Sequence, residues 1–256
     1  MNYFGLSDIG QRRSSNQDCF RIFNAKGFTC ALVCDGMGGA NGGNIASALT
    51  SAVFEAEFTE LISICENHRE ALSKIDKIIE RAIYKANYEV YRKSLHDISL
   101  TGMGTTFTSF ITDGKEYITV NVGDSRTYFI PDIHECYDIR DVFMKKLTKD
   151  HSLVQSLIDS GTITEDDAAE HPKKNIIMRA IGVEESVEAD IVHHELSKGL
   201  ILLCSDGLSG YFDKDRSYLQ ILRDENTTLE EKAETLIEYA NFNGGSDNIT
   251  AVLVEI

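Results

Sequence analysis

Apolar residues along this chain follow two rhythms. Short, nearly continuous runs occur at Ala31–Cys34, Tyr117–Val122, Leu200–Cys204 and Ile249–Val254. They are too short for core helices and predict strands buried on both faces. A helical rhythm is clearest where Ile75, Ile78, Ile79, Ala82, Ile83, Ala86 and Val90 recur on one face. Further helices are expected from about Asn44 to Leu61, from Ser152 to Ser160 with a stop at Gly161, and from Thr228 to about Asn241. In the last, Ala233, Leu236, Ile237 and Ala240 should face inward. Thr164 with Asp167, and Thr228 with Glu231, have the spacing of helix caps. Weaker strand patterns cover residues 3–7, 19–23, 105–112, 126–130 and 187–196, and Asp113-Gly114 marks a hairpin. Strands and helices come in blocks rather than alternating, which predicts an α+β fold with mainly antiparallel sheets. Residues 151–175 are polar and lie between strand-rich halves, as a surface flap would. Residues 131–145 read as irregular and acidic.

The strand ends carry the chemistry. Ala31–Cys34 runs into Asp35-Gly36 and a glycine-rich stretch ending at Gly43, read as a tight turn that leaves Asp35 at the strand tip. Tyr117–Val122 runs into Gly123-Asp124, and Leu200–Cys204 into Ser205-Asp206-Gly207. Gly244-Gly245-Ser246-Asp247 leads into Asn248 and the last strand. One such Asp-Gly pair is ordinary turn chemistry. Four at the ends of buried strands predict a carboxylate cluster, and clustered carboxylates repel unless protonated or bridged by a cation. Hard oxygen ligands without paired His or Cys favour Mg²⁺ or Mn²⁺ over zinc.

Composition narrows the function classes. The chain has 256 residues, 42% of them apolar, enough for one large domain, 1–256, with an ample core. Its net charge of −16 argues against nucleic acid or an anionic membrane as partner. No apolar run approaches the roughly 18 residues of a membrane span, and no secretory leader pattern opens the chain, so a cytoplasmic protein is expected. The six cysteines form no Cys-x-x-Cys pair, and buried free thiols are expected of them. A glycine-rich nucleotide loop is a poor match: Asn41 stands where a dinucleotide fingerprint needs Gly or Ala, and no Gly-Lys-Ser/Thr follows.

The polar loop from Asp8 to Asp18 adds Arg12, Arg13 and a further aspartate. Arginine beside a carboxylate-rich metal centre can hold a phosphate with its planar fork of donors; a plain surface salt bridge is the other reading. With this loop in view the sequence resembles the metal-dependent serine/threonine protein phosphatases of the protein phosphatase 2C type. The residues that carry the resemblance are Arg13-x-x-Asn16-Gln17-Asp18, Val33-Cys-Asp35-Gly36-Met-Gly38-Gly39, Gly104-Thr-Thr106, Asn121-Val-Gly-Asp124-Ser-Arg126, Leu203-Cys-Ser-Asp206-Gly207-Leu208 and Gly245-Ser-Asp247-Asn248-Ile-Thr250. Asp-Gly-Met-Gly-Gly and the segment His171-Pro to Gly182 resemble the bacterial branch.

The resemblance implies a sandwich of two antiparallel sheets flanked by helix pairs, α-β-β-α in layers. It implies two Mn²⁺ or Mg²⁺ ions bridged by Asp35. The Gly36 carbonyl would complete the first site, Asp206 and Asp247 would hold the second, and Asp18 would support the cluster through bound water. Arg13 would bind phosphate. Asp124 with Asp206 would hold a third, weaker ion, and Asn175 at the end of the flap would touch that site. The implied reaction is hydrolysis of phosphoserine and phosphothreonine on proteins by a bridging hydroxide, in opposition to a serine/threonine kinase, with the protein expected as a monomer. Phosphatase action on small phosphate esters, or a non-enzymatic phosphoprotein-binding module, are the alternatives. Cys34 and Cys204 are expected to be packing residues rather than nucleophiles. Met37 replaces a histidine of eukaryotic relatives that is a proposed general acid. Methionine cannot donate that proton. His151 is the nearest substitute by type, against a purely structural role; His171, His193 and His194 are expected to be structural or exposed.

Overall fold

The computed structural model describes residues 1–132, 144–212 and 217–256. Its strands form two antiparallel sheets. The first has the order β1 (Tyr3–Asp8), β11 (Ile249–Glu255), β10 (Gly199–Cys204), β7 (Arg126–Pro131), β8 (Lys145–Lys146). The second has the order β2 (Asp18–Ala25), β3 (Phe28–Met37), β5 (Phe107–Thr112), β6 (Glu116–Val122), β9 (Asp190–Glu195), with β4 (Gly104–Thr105) paired to the end of β3.

Strand alternation sorts the apolar residues into three layers. Along β3, Cys30, Leu32 and Cys34 face helices α1 (Gly39–Ser63) and α3 (Ile75–His96), while Ala31 and Val33 face the other sheet. Along β10, Ile201 and Leu203 meet Val33 between the sheets. Leu200, Leu202 and Cys204 face α6 (Asp206–Ser209), α7 (Ser217–Arg223) and α8 (Leu229–Phe242). The result is the expected α-β-β-α sandwich. The helical rhythm of α3 is realised as read, with Ile75 to Val90 buried on one face. Both cap spacings are real capping boxes, on α5 (Glu165–Ala169) and on α8. Gly161, at φ 69°, follows α4 (Leu153–Asp159). No helix among the described residues is long and apolar enough to cross a membrane.

Four readings need correction. The first strand does not stop before Asp35; β3 continues through Gly36 and Met37, which pair with Thr105 and Gly104 of β4. The glycine-rich stretch is mostly helix rather than turn. Only Gly38 (φ 118°) and Gly39 (φ 69°) take left-handed backbone, whereas Gly42 and Gly43 lie in the first turns of α1. Their missing side chains serve close packing: a Cβ on Gly43 would stand 2.6 Å from the Gly36 carbonyl oxygen. The strand read at 105–112 breaks at Thr106, and the one read from 187 begins at Asp190. The short helices α2 (His68–Ser73), α6 and α7 were not legible, because one or two turns show no period. Most of 131–145, with Cys136, lies outside the described residues.

Phe54 of α1 is fully buried, stacks on Phe58 at 5.7 Å between centroids and meets Phe107 of β5 at 4.7 Å. Phe54→Ala removes the ring that joins this helix to its sheet. We expect a loss of about 3–5 kcal/mol in urea unfolding with an unchanged slope; a loss below about 1 kcal/mol would mean that this layer closes up around the missing ring.

Candidate metal centre

Asp35 faces the space between the sheets, on the same side of β3 as Ala31 and Val33, where the sandwich ends. Its backbone is fixed by the break in the neighbouring strand. Asp35 N–H donates to Thr106 Oγ1 (2.9 Å), and its carbonyl accepts from Thr106 N–H (2.9 Å) and Thr105 Oγ1 (2.8 Å). Asp18 is its register partner on β2. Asp18 Oδ2 accepts from Ser205 Oγ (2.7 Å) and Thr250 Oγ1 (2.6 Å), both fully buried and both from the other sheet.

Asp206 opens α6 directly after β10. A Cβ on Gly207 would lie 1.9 Å from the Asn248 carbonyl oxygen, so only glycine lets this turn meet the chain entering β11. Asp247 arrives from that chain. Its Oδ1 accepts from Asn248 N–H (2.8 Å), and its Oδ2 accepts from Arg13 at 2.6 Å. Asn248 in turn donates to the Ile9 and Ser15 carbonyls and accepts from Gln17 N–H, fixing the loop that carries Arg13. Asp124 follows Gly123 (φ 105°), whose Cβ would stand 2.7 Å from Thr106 Cγ2. Arg126 next to this turn grips Asp150 through both Nε and NH2.

Five aspartates from both sheets therefore converge at one end of the sandwich. Asp124 is buried and the others partly so, yet Asp18 Oδ1, Asp124 Oδ1 and Asp206 Oδ1 are buried without a hydrogen-bond partner. Burial and mutual repulsion raise their affinity for protons. Asp18 is pushed up to about 6, by desolvation first and with Asp206 adding to it. Asp124 is pushed up to about 7, again by desolvation and then by Asp206 and Asp150. Asp35 is held well above the carboxylate range by desolvation and by the charges of Asp18, Asp206, Asp124 and Asp247. Asp206 is raised by desolvation and Asp247. Arg13, half exposed, is raised chiefly by its hydrogen bond to Asp247.

This donor set suits hard divalent cations: it is all carboxylate, with orphaned oxygens and no imidazole or thiol partner. Among the described residues no three acidic, imidazole or thiol groups close tightly enough to enclose an ion, and the aspartates stand as an open cluster. The orphaned oxygens and raised proton affinities decide the fit, because both express one deficit of positive charge.

Asn175 stands apart: it is exposed and makes no hydrogen bond among the described residues. His151 is partly buried in a structural role. Its Nδ1 accepts from Gly123 N–H (3.2 Å), and its Nε2 lies 3.2 Å from Asp190 Oδ2. His171 accepts from Lys173 N–H, His193 pairs with Asp76, and His194 stacks on Tyr117. Cys34 and Cys204 are fully buried with their thiols pushed up by desolvation, Cys204 to about 12, as packing residues should be. The buried hydroxyls Thr106, Ser205 and Thr250 stand in the motifs that carry the resemblance, but the sequence assigns them no role; the structure shows them bracing Asp35 and Asp18.

A family model described as protein phosphatase 2C matches residues 9–239. The chain is 36% identical over 252 residues to the serine/threonine phosphatase Stp of Listeria monocytogenes, covering 97% of this chain and 93% of that one. It superposes on a solved structure of the Streptococcus agalactiae serine/threonine phosphatase with a TM-score of 0.86 at 36% identity, covering 100% of this chain and 99% of that one. The catalytic domain of the phosphatase PstP, solved in complex with two manganese ions, superposes with a TM-score of 0.76 at 31% identity, covering 99% and 97%.

The raised carboxyls set a pH dependence. A folded-state pKa above the unfolded value near 3.9 adds stability that is complete below that value and lost as pH rises through the folded pKa. For Asp18 and Asp124 the loss runs through about 6 and about 7. Metal-free protein should thus melt lower at pH 8 than at pH 5, and Asp124→Asn should flatten the fall. Mn²⁺ added at pH 8 should restore the midpoint. Equal midpoints at both pH values would remove the carboxylate strain from the account.

Proposed function

Because this chain belongs to the protein phosphatase 2C family, we propose that it removes phosphate from phosphoserine and phosphothreonine of proteins at a centre of two Mn²⁺ or Mg²⁺ ions. The observation that carries this reading is the meeting of five aspartates from two sheets around buried oxygens that no donor satisfies. Asp35 would bridge the two ions, the Gly36 carbonyl would complete the first, and Asp206 with Asp247 would hold the second. Asp124 with Asp206 would serve a third, weaker ion. When bound, such cations supply Lewis acidity, acidifying water and drawing charge from phosphoryl oxygens.

The rest is the work of the chain. Asp18, clamped by Ser205 and Thr250, keeps β2 and β3 in register with the far sheet and so keeps Asp35 facing Asp206. Arg13 offers a half-exposed guanidinium at the rim, where its planar fork suits a phosphate. Thr105 and Thr106 hold the Asp35 backbone on both sides, so the carboxylate does not have to reorganise. Met37 has no proton to donate and His151 is engaged through both ring nitrogens, so neither protonates the leaving alkoxide. We further infer one catalytic domain over 1–256 with 151–175 as its flap. Its base is tied down where Ser152 pairs with Ile177, and Asn175, which stands apart here, would come to the third site only if the segment moved. The remaining inferences are a monomer in the cytoplasm opposing a serine/threonine kinase.

A phosphothreonine peptide should be turned over with Mn²⁺ or Mg²⁺ and left intact in excess chelator; turnover under chelation would sink the reading. Arg13→Ala should lower kcat/KM about ten- to hundred-fold, the worth of one charge-assisted contact. Arg12→Ala, at an exposed neighbour, should change it less than two-fold. Equal effects would leave Arg13 a surface ion pair. Asp124→Ala should keep tight binding of two metals by calorimetry. It should slow phosphopeptide turnover more than that of p-nitrophenyl phosphate, whose leaving group needs little protonation. Loss of a tight ion would move Asp124 into the core pair.

A further inference from the structure

We propose that the cleft beside Met37 is a subsite for a lysine or arginine of the substrate, two residues from the phosphorylated one; the proposal rests on the phosphatase reading above. On β3, Asp35 and Met37 lie on the same face, about 7 Å apart along the strand, the step between alternate residues of an extended peptide. Met37 therefore carries the surface of the site outward from the carboxylates. Its side chain packs over Gly104, where a Cβ would meet Met37 Cε at 3.2 Å and Val183 Cγ2 at 2.7 Å. Beyond it opens a cleft of about 240 Å³, lined by Met37, Met178, Val183, Val187, Glu184 and Glu188 among others. That is room for one long side chain and too little for a cofactor.

The cleft is built rather than incidental. Asn87 of α3, fully buried, donates through Nδ2 to the Glu184 and Glu185 carbonyls (3.0 and 3.1 Å). Its Oδ1 accepts from Gly182 N–H at 2.7 Å. One side chain thus fixes the rim loop against the helix layer. The wall is mixed, and its apolar part is open: Met178 is 61% and Val183 42% exposed. The lining also holds one cation, Arg179, whose guanidinium is engaged by Asp190 Oδ1 (3.0 Å) and the Glu188 carbonyl (3.1 Å). The Glu184 and Glu188 carboxylates are exposed and have no ion pair or hydrogen bond among the described residues. Open apolar side chains beside two unpaired carboxylates fit an alkyl stem with a cationic head. They disfavour an acidic residue through like charge.

The test uses the metal-loaded full chain and three phosphothreonine peptides. They carry lysine, norleucine or glutamate two residues to either side of the phosphothreonine. The expected order of kcat/KM is lysine, norleucine, glutamate, with lysine about three- to ten-fold above glutamate and the gap narrowing in high salt. The readout is the lysine-to-glutamate ratio within one preparation, which cancels any loss of folded or active enzyme. In the double variant Glu184→Lys/Glu188→Lys the ratio should fall to one or invert. In Glu234→Lys/Glu238→Lys, the same charge change on α8, it should persist. A wild-type ratio near one overturns the subsite, and so does an equal fall in both double variants, which would assign the preference to the overall acidity. If no phosphopeptide is turned over while p-nitrophenyl phosphate is, the reading as a protein phosphatase fails and the subsite fails with it.

Discussion

Mutual repulsion among buried carboxylates is the constraint on which this architecture turns. Each of Asp18, Asp35, Asp124 and Asp206 would be held off by its neighbours if the chain were free to relax. The two sheets do not let it. Ser205 and Thr250 reach from one sheet to Asp18 on the other, and Thr106 clasps Asp35 from the strand beside it. Gly43 and Gly207 remove the side chains that would keep the backbones apart. Neutral donors and missing atoms thus assemble what charge alone would disperse. The apolar layer between the sheets, with Val33, Ile201, Leu203 and Val252, supplies the adhesion that offsets the cost.

The sequence was legible where a residue's neighbours declare its surroundings. A buried strand closed by Asp and Gly can be recognised from a dozen letters, so Asp35, Asp124, Asp206 and Asp247 stood out on pattern alone. Asp18 and Arg13 did not; both sit in a polar loop like many others, and only family resemblance singled them out. The hydroxyls that brace the site were invisible as braces, because a threonine in a strand is unremarkable until its partner across the sandwich is known. Glycine was ambiguous in a different way. It permits left-handed backbone and it permits contact, and the stretch from Gly36 to Gly43 uses both, which is why a helix start was taken for a turn. Layer order followed from alternation; sheet order did not, since β1 meets β11 by a closure that no local window contains.

The segment proposed as a flap and the loop after Gly182 are both anchored away from the carboxylates. Segment 151–175 is exposed over most of its length and anchored at its base, where His151 bonds to Gly123 and Ser152 pairs with Ile177. The loop from Gly182 to Glu185 is anchored by hydrogen bonds from Asn87. Among the described residues neither supplies a side chain to the aspartate cluster. Their composition can change while the carboxylate geometry stays fixed, an arrangement suited to one chemistry and many partners.

The pairing of β1 with β11 sets Tyr3 opposite Val254 and brings Arg13 onto Asp247. Arg13 and Asp18 therefore lack their partners until the last strand has been made. A ribosome emits the parts of this site in an order that keeps it silent: the arginine first, four of the aspartates after it, and Asp247 last of all. A growing chain holds an unpaired N-terminal strand and an open row of carboxylates, and it has no complete centre with which to act. At the proposed site, hydrolytic competence thus waits on the pairing of β1 with β11.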